Sequence, residues 1–368
     1  MIKDFSSRIL PAGKADYIKQ RLPDGTIEDV CLCTHTSRFT FGCEAQVSGR
    51  FGIPEEVVRN HGEYSEGNIN IYRQLGIHDL RCDGCYARKM GRRSNWGKTN
   101  SGHVNSKTRA DFEKYKPSQI RLGVLVECGY LPLYGHVLND FLGLCEEYSS
   151  RVILPTKMLT FGKESLIDMK HLLPDMLKSL PTAEELVEKF KNTMSVVNFS
   201  IYNPKFEPGL VSQGFTSNRR MKEAEKFYQS GVNTTITQVC DVTASIEDNI
   251  SRGFPIDDVI IMHDELGIIM RIIPLRITTK KFAQQATGKT WEELISSKDY
   301  KLKGNHEIIP NFLHPDFQAL IESGVGFCGR IGTIEYCDHC NLDKAKISFP
   351  ASELAPDRDK IKKRRKIV

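Results

Sequence analysis

The sequence has no apolar run long enough to cross a membrane. Its 368 residues are 40% hydrophobic and 26% charged, and no segment reaches the roughly 18–20 consecutive apolar residues of a membrane-spanning helix. The first ten residues, MIKDFSSRIL, lack the apolar core of a secretory signal peptide. We therefore expect a cytoplasmic protein that has no membrane partner.

A strong excess of charge of one sign is also absent. The chain has 51 Lys and Arg against 46 Asp and Glu, which gives a net charge of +5. Much of this mild basic excess lies in the C-terminal RDKIKKRRKIV, whose composition is that of a disordered, solvated end or of a nucleic-acid patch. We interpret residues 351–368 as a disordered basic tail.

An even cysteine count, which a fully paired disulfide framework needs, is missing as well. The chain has 11 cysteines, and disulfides rarely persist in a reducing cytosol. Eight of them fall into three groups, which are Cys31, Cys33 and Cys43, then Cys82 and Cys85, then Cys328, Cys337 and Cys340. Clustered thiols in a cytosolic chain favour metal or iron–sulfur ligation.

Apolar, strand-like runs recur after Asn68 and alternate with helical patterns. The predicted strands are NINIYRQLGI, IRLGVLVECG, SRVILPTK, MSVVNFSIYN, VNTTITQVCD and IIMRIIPLRI. Helical patterns lie between them, such as HVLNDFLGLCEEY, TAEELVEKFKNT, SNRRMKEAEKFYQSG and DDVIIMHDELG. Strands that alternate with helices are typical of βαβ units and a parallel sheet. Six such strands predict an α/β fold, a partial (β/α)6 TIM-like barrel.

The pattern divides the chain into four regions. Residues 1–67 form an irregular N-terminal extension with one predicted strand, EDVCLCTH, and residues 68–280 form the barrel. Residues 281–350 are a mixed C-terminal segment that contains three cysteines, and 351–368 are the tail. Function in such barrels lies at the carboxyl ends of the strands, and Cys82 and Cys85 directly follow the first predicted strand.

The stretch HDLRCDGCYA combines a C-x2-C pair with a histidine four residues before its first cysteine. It resembles the signature of the radical S-adenosylmethionine (radical SAM) enzymes, which is C-x3-C-x2-C and often C-N-L-R-C-x-x-C-Y. Arg81, Cys82, Cys85 and Tyr86 fall into register with it, and His78 stands at the first cysteine position. Close spacing on one loop is needed because three ligands converge on one cluster.

The resemblance covers about residues 68–277 and implies a [4Fe–4S] cluster held by His78, Cys82 and Cys85. In that family one iron is left open for the amino and carboxylate groups of S-adenosylmethionine. By their order along the barrel strands, further residues are implied to contact S-adenosylmethionine, namely Tyr86, Glu127, Gly129, Ser200, Tyr202, Asn203, Gln238, Ile273 and Pro274.

The ligand set has open alternatives. Cys33 or Cys43 can replace His78 as the third ligand, and a zinc site that pairs Cys82 and Cys85 with Cys337 and Cys340 is a competing interpretation. A histidine ligand raises the reduction potential of an iron–sulfur cluster. It also makes retention of the cluster sensitive to acid, because imidazole binds metal only when it is unprotonated.

The C-terminal cysteines form a second group. Cys328, Cys337 and Cys340 have the spacing C-x8-C-x2-C, with His339 inside it. This arrangement resembles the auxiliary cluster sites that follow many radical SAM barrels. We predict that these cysteines are metal ligands, either for a second iron–sulfur cluster or for zinc.

The predicted function is therefore that of a radical SAM enzyme, which generates a 5′-deoxyadenosyl radical with electrons from an external donor. Basic residues between Arg88 and Lys107 follow the cysteine pair and favour a nucleic-acid or nucleotide substrate, while peptides and small molecules stay open. The alternative is a nucleic-acid-binding protein that is stabilised by zinc or iron–sulfur and has no radical chemistry.

Overall fold

The computed structural model describes residues 8–11, 17–21, 27–31, 35–38, 106–115, 119–122, 129–167, 180–212, 214–304, 307–332 and 334–335. Its strands are β1 (Arg8–Pro11), β2 (Tyr17–Arg21), β3 (Ile27–Cys31), β4 (His35–Arg38), β5 (Gln119–Arg121), β6 (Arg151–Thr156), β7 (Val196–Ile201), β8 (Asn233–Cys240), β9 (Ile269–Pro274), β10 (Tyr300–Lys303), β11 (Glu307–Pro310), β12 (Gly326–Phe327), β13 (Arg330–Ile331) and β14 (Ile334–Glu335).

The α-helices in these ranges are α1 (Ser106–Tyr115), α2 (Leu131–Glu147), α3 (Ala183–Asn192), α4 (Pro208–Ser212), α5 (Ser217–Gln229), α6 (Ile246–Ser251), α7 (Ile256–Leu266), α8 (Lys280–Thr287), α9 (Trp291–Ser296) and α10 (Pro315–Glu322). Two short 3₁₀ helices lie at Lys163–Leu166 and Pro204–Phe206. In the part of the chain that the structure describes, no helix combines the length and the apolar character that spanning a bilayer requires.

One sheet organises the fold. Its eight strands run in the order β1-β4-β5-β6-β7-β8-β9-β12, and every neighbouring pair is parallel except β1 with β4. The parallel strands therefore follow one another in space as they do along the chain. This order is that of a partial (β/α) barrel, and it confirms the predicted α/β class.

The central elements agree with the sequence patterns. SRVILPTK, MSVVNFSIYN, VNTTITQVCD and IIMRIIPLRI form β6 to β9, and the four helical patterns form α2, α3, α5 and α7. Local signals support these boundaries. At the start of α3, Thr182 and Glu185 form a reciprocal capping box, and α7 ends at Gly267 in the left-handed conformation.

The first parallel strand differs from the expectation. We expected NINIYRQLGI, residues 68–77, beside β5, but the two neighbours of β5 are β4 and β6. Residues 68–77 lie outside the described residues. The strand that takes the expected place, β4, has the polar sequence HTSR. Such a sequence has no alternation of apolar and polar residues, so its pattern does not predict a strand.

The C-terminal region contributes strands as well as helices. Strands β10 and β11 form an antiparallel hairpin, β13 pairs with β14, and the two-residue β12 extends the main sheet beside β9. The sheet thus takes strands from both sides of the predicted boundaries at 67/68 and 280/281. The division into domains stays a prediction, and the tail 351–368 lies outside the described residues.

Helices cover one face of the sheet. Phe199 of β7 packs against Phe227 of α5, with ring centroids 6.0 Å apart, and Phe190 of α3 meets the same ring at 5.9 Å. All three phenylalanines are fully buried. Because side chains alternate along a strand, the neighbours of Phe199 in β7, Asn198 and Ser200, lie on the opposite face.

Two glycines with the same backbone angle provide a test of this packing. Gly162 and Gly288 both have φ of +72°. A Cβ at Gly162 would lie 2.6 Å from Ala183 Cα at the start of α3, whereas one at Gly288 would meet nothing within 4 Å. We expect Gly288→Ala to cost only the left-handed strain, about 1–2 kcal/mol. Gly162→Ala adds an overlap with backbone that costs about 1–3 kcal/mol more.

Urea unfolding of both variants measures the difference, because the shared φ cancels. Equal destabilisation by the two substitutions would contradict the close approach of the loop after β6 to α3.

Candidate active site at the carboxyl edge of the sheet

The carboxyl ends of the parallel strands lie along one edge of the sheet, which we call the carboxyl edge. Lys157 follows β6, Tyr202 follows β7, Asp241 follows β8 and Cys328 follows β12. The ends of the last three strands stay paired, since Leu275 N donates to Cys240 O and Cys328 N donates to Ile272 O, each at 2.8 Å. Polar residues on this edge are therefore held by a continuous hydrogen-bonded frame.

The predicted cluster motif belongs to the connection between β4 and α1. This connection, residues 39–105, begins at the carboxyl end of the first parallel strand and contains His78, Cys82, Cys85 and Tyr86. These four residues lie outside the described residues, as do Cys33, Cys43, Glu127, Cys337, His339 and Cys340. Their predicted roles stay predictions.

Among the predicted metal ligands, Cys328 is within the described residues. It lies directly after β12 and is partly exposed. Within the ranges that the structure describes, no three His, Cys, Asp or Glu side chains come together in a way that would hold a metal ion. The described residues alone therefore form no auxiliary metal site around Cys328.

The face of the sheet opposite Phe199 carries a chain of buried polar side chains across three strands. Asn198 Oδ1 accepts hydrogen bonds from Thr235 Oγ1 at 2.8 Å and from Thr237 Oγ1 at 2.7 Å. Arg271 Nη2 donates to Thr237 Oγ1 at 2.8 Å. Each of these side chains is at most 4% exposed. A polar, hydrogen-bonded face suits a binding interior better than an ordinary apolar core.

Of the described residues that are predicted to contact the cofactor, Ser200 lies on this face and Tyr202 follows the same strand. Ser200 pairs in register with Thr237 and is partly exposed. Tyr202 follows the end of β7 and is 7% exposed. Lys157 Nζ stands 5.1 Å from the centre of the Tyr202 ring, a cation–π geometry. These residues bring a hydroxyl, an aromatic ring and a cation together at the carboxyl edge.

Asn203 is engaged in holding the backbone. Its amide nitrogen donates to Arg252 O at 2.9 Å, and its amide oxygen accepts from Lys205 N at 3.0 Å. The side chain is fully buried. Asn203 therefore caps the turn after β7 and ties it to the loop that follows α6.

The other described residues that are predicted to contact the cofactor lie on both faces of the sheet. Gln238 is fully buried and pairs in register with Ile201, so it lies on the helix-covered face, away from Ser200. Ile273 and Pro274 end β9 and line a cavity with Cys328. Gly129 is buried just before α2. The sheet thus brings Ser200 and Ile273 to one face, and it leaves Gln238 on the other.

A buried carboxylate that the sequence reasoning missed lies behind Tyr202. Glu207 is fully buried and accepts a hydrogen bond from Arg220 Nη2 at 2.5 Å, and it also pairs with Lys157. Burial alone would raise the pKa of Glu207, but the charges of Arg220 and Lys157 outweigh it and hold this pKa below its usual range.

The Arg220 guanidinium joins several segments. It also donates to Ser200 O at 2.9 Å and to Phe215 O at 2.9 and 3.1 Å. Lys157 is 26% exposed at its side chain. Glu207 therefore orients the Lys157 side chain at the end of β6.

Asp241 forms a second buried cluster, after β8. Its carboxylate accepts from Tyr300 Oη at 2.9 Å and from Thr243 Oγ1 at 2.8 Å, and it pairs with Arg252 at 2.9 Å. Burial, and then the Asp241 charge, raise the pKa of Tyr300 well above its usual value. This cluster fixes the hairpin β10–β11 to the carboxyl edge. A polar residue directly after an apolar strand was the available sequence signal for both Lys157 and Asp241.

Comparison with known proteins gives weak structural likenesses. No family model and no curated protein matches the sequence. Spore photoproduct lyase complexed with dinucleoside spore photoproduct is 16% identical, with a TM-score of 0.38, over 67% of this chain and 71% of that chain. Streptococcus suis SuiB bound to S-adenosylmethionine is 14% identical, with a TM-score of 0.31, over 60% and 46% of the two chains.

The Glu207 cluster provides the prediction for this site. Glu207→Gln leaves the buried Arg220 guanidinium without its counter-charge, and breaking such a pair costs about 3–5 kcal/mol. The folded pKa of Glu207 is depressed, so its contribution is present above the unfolded value of about 4.3 and is lost as the pH falls through the folded value. We expect the variant to be less stable at pH 7. Its free energy of unfolding should also fall less between pH 7 and pH 3, because the Glu207 carboxylate no longer takes up a proton.

Urea unfolding between pH 3 and pH 7 measures both effects. Glu188→Gln, on an exposed position of α3, is the matched control and should change little. An unchanged stability of the Glu207 variant at pH 7 would contradict the assigned pairing.

Proposed function

We propose that this protein is a radical SAM enzyme that modifies a nucleotide or nucleic-acid substrate. The observation that carries the proposal is topological. In the sequence, HDLRCDGCYA lies between the first parallel strand, β4, and the first described helix, α1, and the parallel strands of the sheet follow in chain order. In barrel enzymes the segments between a strand and the following helix carry the chemistry.

His78, Cys82 and Cys85 would hold the cluster, and the carboxyl edge would hold S-adenosylmethionine. Bound together, and with an electron from an external donor, these cofactors supply a 5′-deoxyadenosyl radical. The described residues fit the second cofactor chemically, because S-adenosylmethionine has hydroxyl groups and a carboxylate. Ser200 provides a hydroxyl at the edge, and Lys157 provides a cation that can bind the carboxylate.

The role of this chain's own residues is to position the cofactor. Glu207 and the Tyr202 ring hold the Lys157 ammonium, so that little side-chain freedom is lost when an anion binds. The buried polar chain on the same face provides hydrogen-bonding groups in place of bulk water; it consists of Asn198, Thr235, Thr237 and Arg271.

The cluster ligands give the main test. After anaerobic reconstitution with iron and sulfide, the parent should be brown and should form 5′-deoxyadenosine from S-adenosylmethionine under reduction. Cys82→Ala and Cys85→Ala should each lose the iron and this product, because only two of three ligands remain. Cys145→Ala is the control, since Cys145 is a fully buried thiol of α2, and its iron content should equal that of the parent.

His78 is tested in the same assay. If it is a ligand, His78→Ala loses iron and His78→Cys keeps it at a lower reduction potential. Iron retained in full by His78→Ala would move the third ligand to another residue, such as Cys43. A colourless parent that holds stoichiometric zinc and forms no 5′-deoxyadenosine would refute the enzyme and favour the metal-stabilised binding protein.

Lys157 gives a test that does not depend on the cluster ligands. Lys157→Gln removes the cation, and a charge-assisted hydrogen bond is worth about 1.5–3 kcal/mol. We expect binding of S-adenosylmethionine to the reconstituted protein to weaken by about 10-fold to 100-fold, as measured by equilibrium dialysis. Lys205→Gln, in the turn after β7, is the control and should bind as the parent does. Equal affinity of the two variants would remove Lys157 from the cofactor site.

A further inference from the structure

A cavity of about 170 Å³ lies where the hairpin β10–β11 meets the ends of β9 and β12. We call it the basic cavity because Arg276, Lys301 and Lys303 are among the residues that line it. Its other lining includes Pro274 at the end of β9 and Cys328 after β12. The cavity therefore opens on the carboxyl edge. In the strand order, Asp241 at the end of β8 lies between the cavity and Lys157 at the end of β6.

The charge of the cavity is one-sided. None of the described residues that line it is acidic. Among the described residues, Glu307 provides a counter-charge, since its carboxylate lies 3.8 Å from Arg276 Nη1 and it faces Lys303 across the hairpin register. Among the described residues, one carboxylate against three cations leaves an excess of two positive charges. Such an excess attracts an anion by long-range electrostatics as well as by contact.

The hairpin presents its two lysines on one side. Lys301 and Lys303 are two residues apart on β10, so they share a face, while Tyr300 points to the other face and bonds to Asp241. The buried Tyr300–Asp241 contact thus fixes the hairpin with both lysines on its exposed side.

Gly329 and Gly332 line the cavity and approach neighbouring residues closely. A Cβ at Gly329 would lie 2.8 Å from Pro274 Cδ, and a Cβ at Gly332 would lie 2.8 Å from Asn311 Oδ1. Gly332 also has φ of +56°, a conformation that favours glycine. The backbone that follows Cys328 therefore packs closely against Pro274 and Asn311.

The size of the cavity limits its occupant. A site for a whole small molecule measures about 300–1,000 Å³, which is larger than 170 Å³. One group of a larger molecule fits, with the remainder extending along the carboxyl edge. Three cations beside apolar Ile273, Pro274 and Ile309 suit a phosphate that is attached to a sugar or base.

We propose that the basic cavity is a phosphate subsite, which holds a phosphate group of the substrate near the end of β9. This proposal rests on the proposed function for the identity of the substrate, a nucleotide or a strand of nucleic acid. In it Arg276, Lys301 and Lys303 fix the register of the substrate on the carboxyl edge and take no part in the chemistry.

Fluorescence anisotropy of the full-length protein with a fluorescein-labelled, mixed-sequence single-stranded oligonucleotide tests the subsite. The test variant is Lys301→Gln/Lys303→Gln, and the control is Lys222→Gln/Lys281→Gln, which removes the same charge from exposed positions on α5 and α8. Each phosphate contact to a single strand contributes about 0.7 to the salt dependence of the affinity, so the test variant should lose about 1.4 of the slope. At about 0.1 M salt its affinity should fall at least 10-fold.

Competition with a nucleoside monophosphate and with inorganic phosphate distinguishes a free nucleotide from a longer strand, and either result supports the subsite. Equal losses in the test and control variants would overturn it, as would a parent that binds no oligonucleotide or nucleotide. Competition by an acidic peptide alone would also overturn it. Formation of 5′-deoxyadenosine by the parent is measured in parallel, so failure of the subsite and failure of the proposed function are distinguished.

Discussion

A carboxylate without access to water connects the strands that build the carboxyl edge. Glu207 is fully buried, and its two oxygens are neutralised by Arg220 and Lys157. Since an unpaired buried charge is very costly, the three side chains must come together whenever the chain folds. Arg220 at the same time bonds Ser200 O in β7 and Phe215 O before α5. The end of β6, the end of β7 and the start of α5 therefore have one relative position that satisfies every charge.

The Asp241 cluster extends this constraint to the other half of the edge. Asp241 follows β8 and is bonded to Tyr300 of β10 and Arg252 after α6. Two buried acids therefore anchor the loops after β6, β7 and β8 and the C-terminal hairpin to one frame. A site formed on strand ends that are fixed in this way keeps its polar groups in position before any ligand binds, which reduces the cost of binding.

The sequence predicts the centre of the sheet well and its margins poorly, for physical reasons. Strands β6 to β9 are rich in β-branched residues, which favour strands, and α3 carries its own capping signals. By contrast, β4 reads HTSR and β12 has only two residues, so both depend on neighbours for their conformation. Glu207 was missed because its partners are 13 and 50 residues away. A local pattern cannot express an ion pair at that separation.

The cations along the carboxyl edge differ in how firmly neighbouring groups hold them. This difference suits them to different binding roles. Lys157 is fixed between Glu207 and the Tyr202 ring, so its ammonium occupies one place and is partly shielded from salt. Lys301 and Lys303 are exposed, so they act through a screened field. A fixed cation suits the orientation of a cofactor, since reacting atoms must be placed accurately. An exposed pair suits the capture of a charged polymer, because binding through counterion release tolerates imprecise contact. In the proposed enzyme, high salt should therefore weaken substrate capture well before it weakens binding of S-adenosylmethionine.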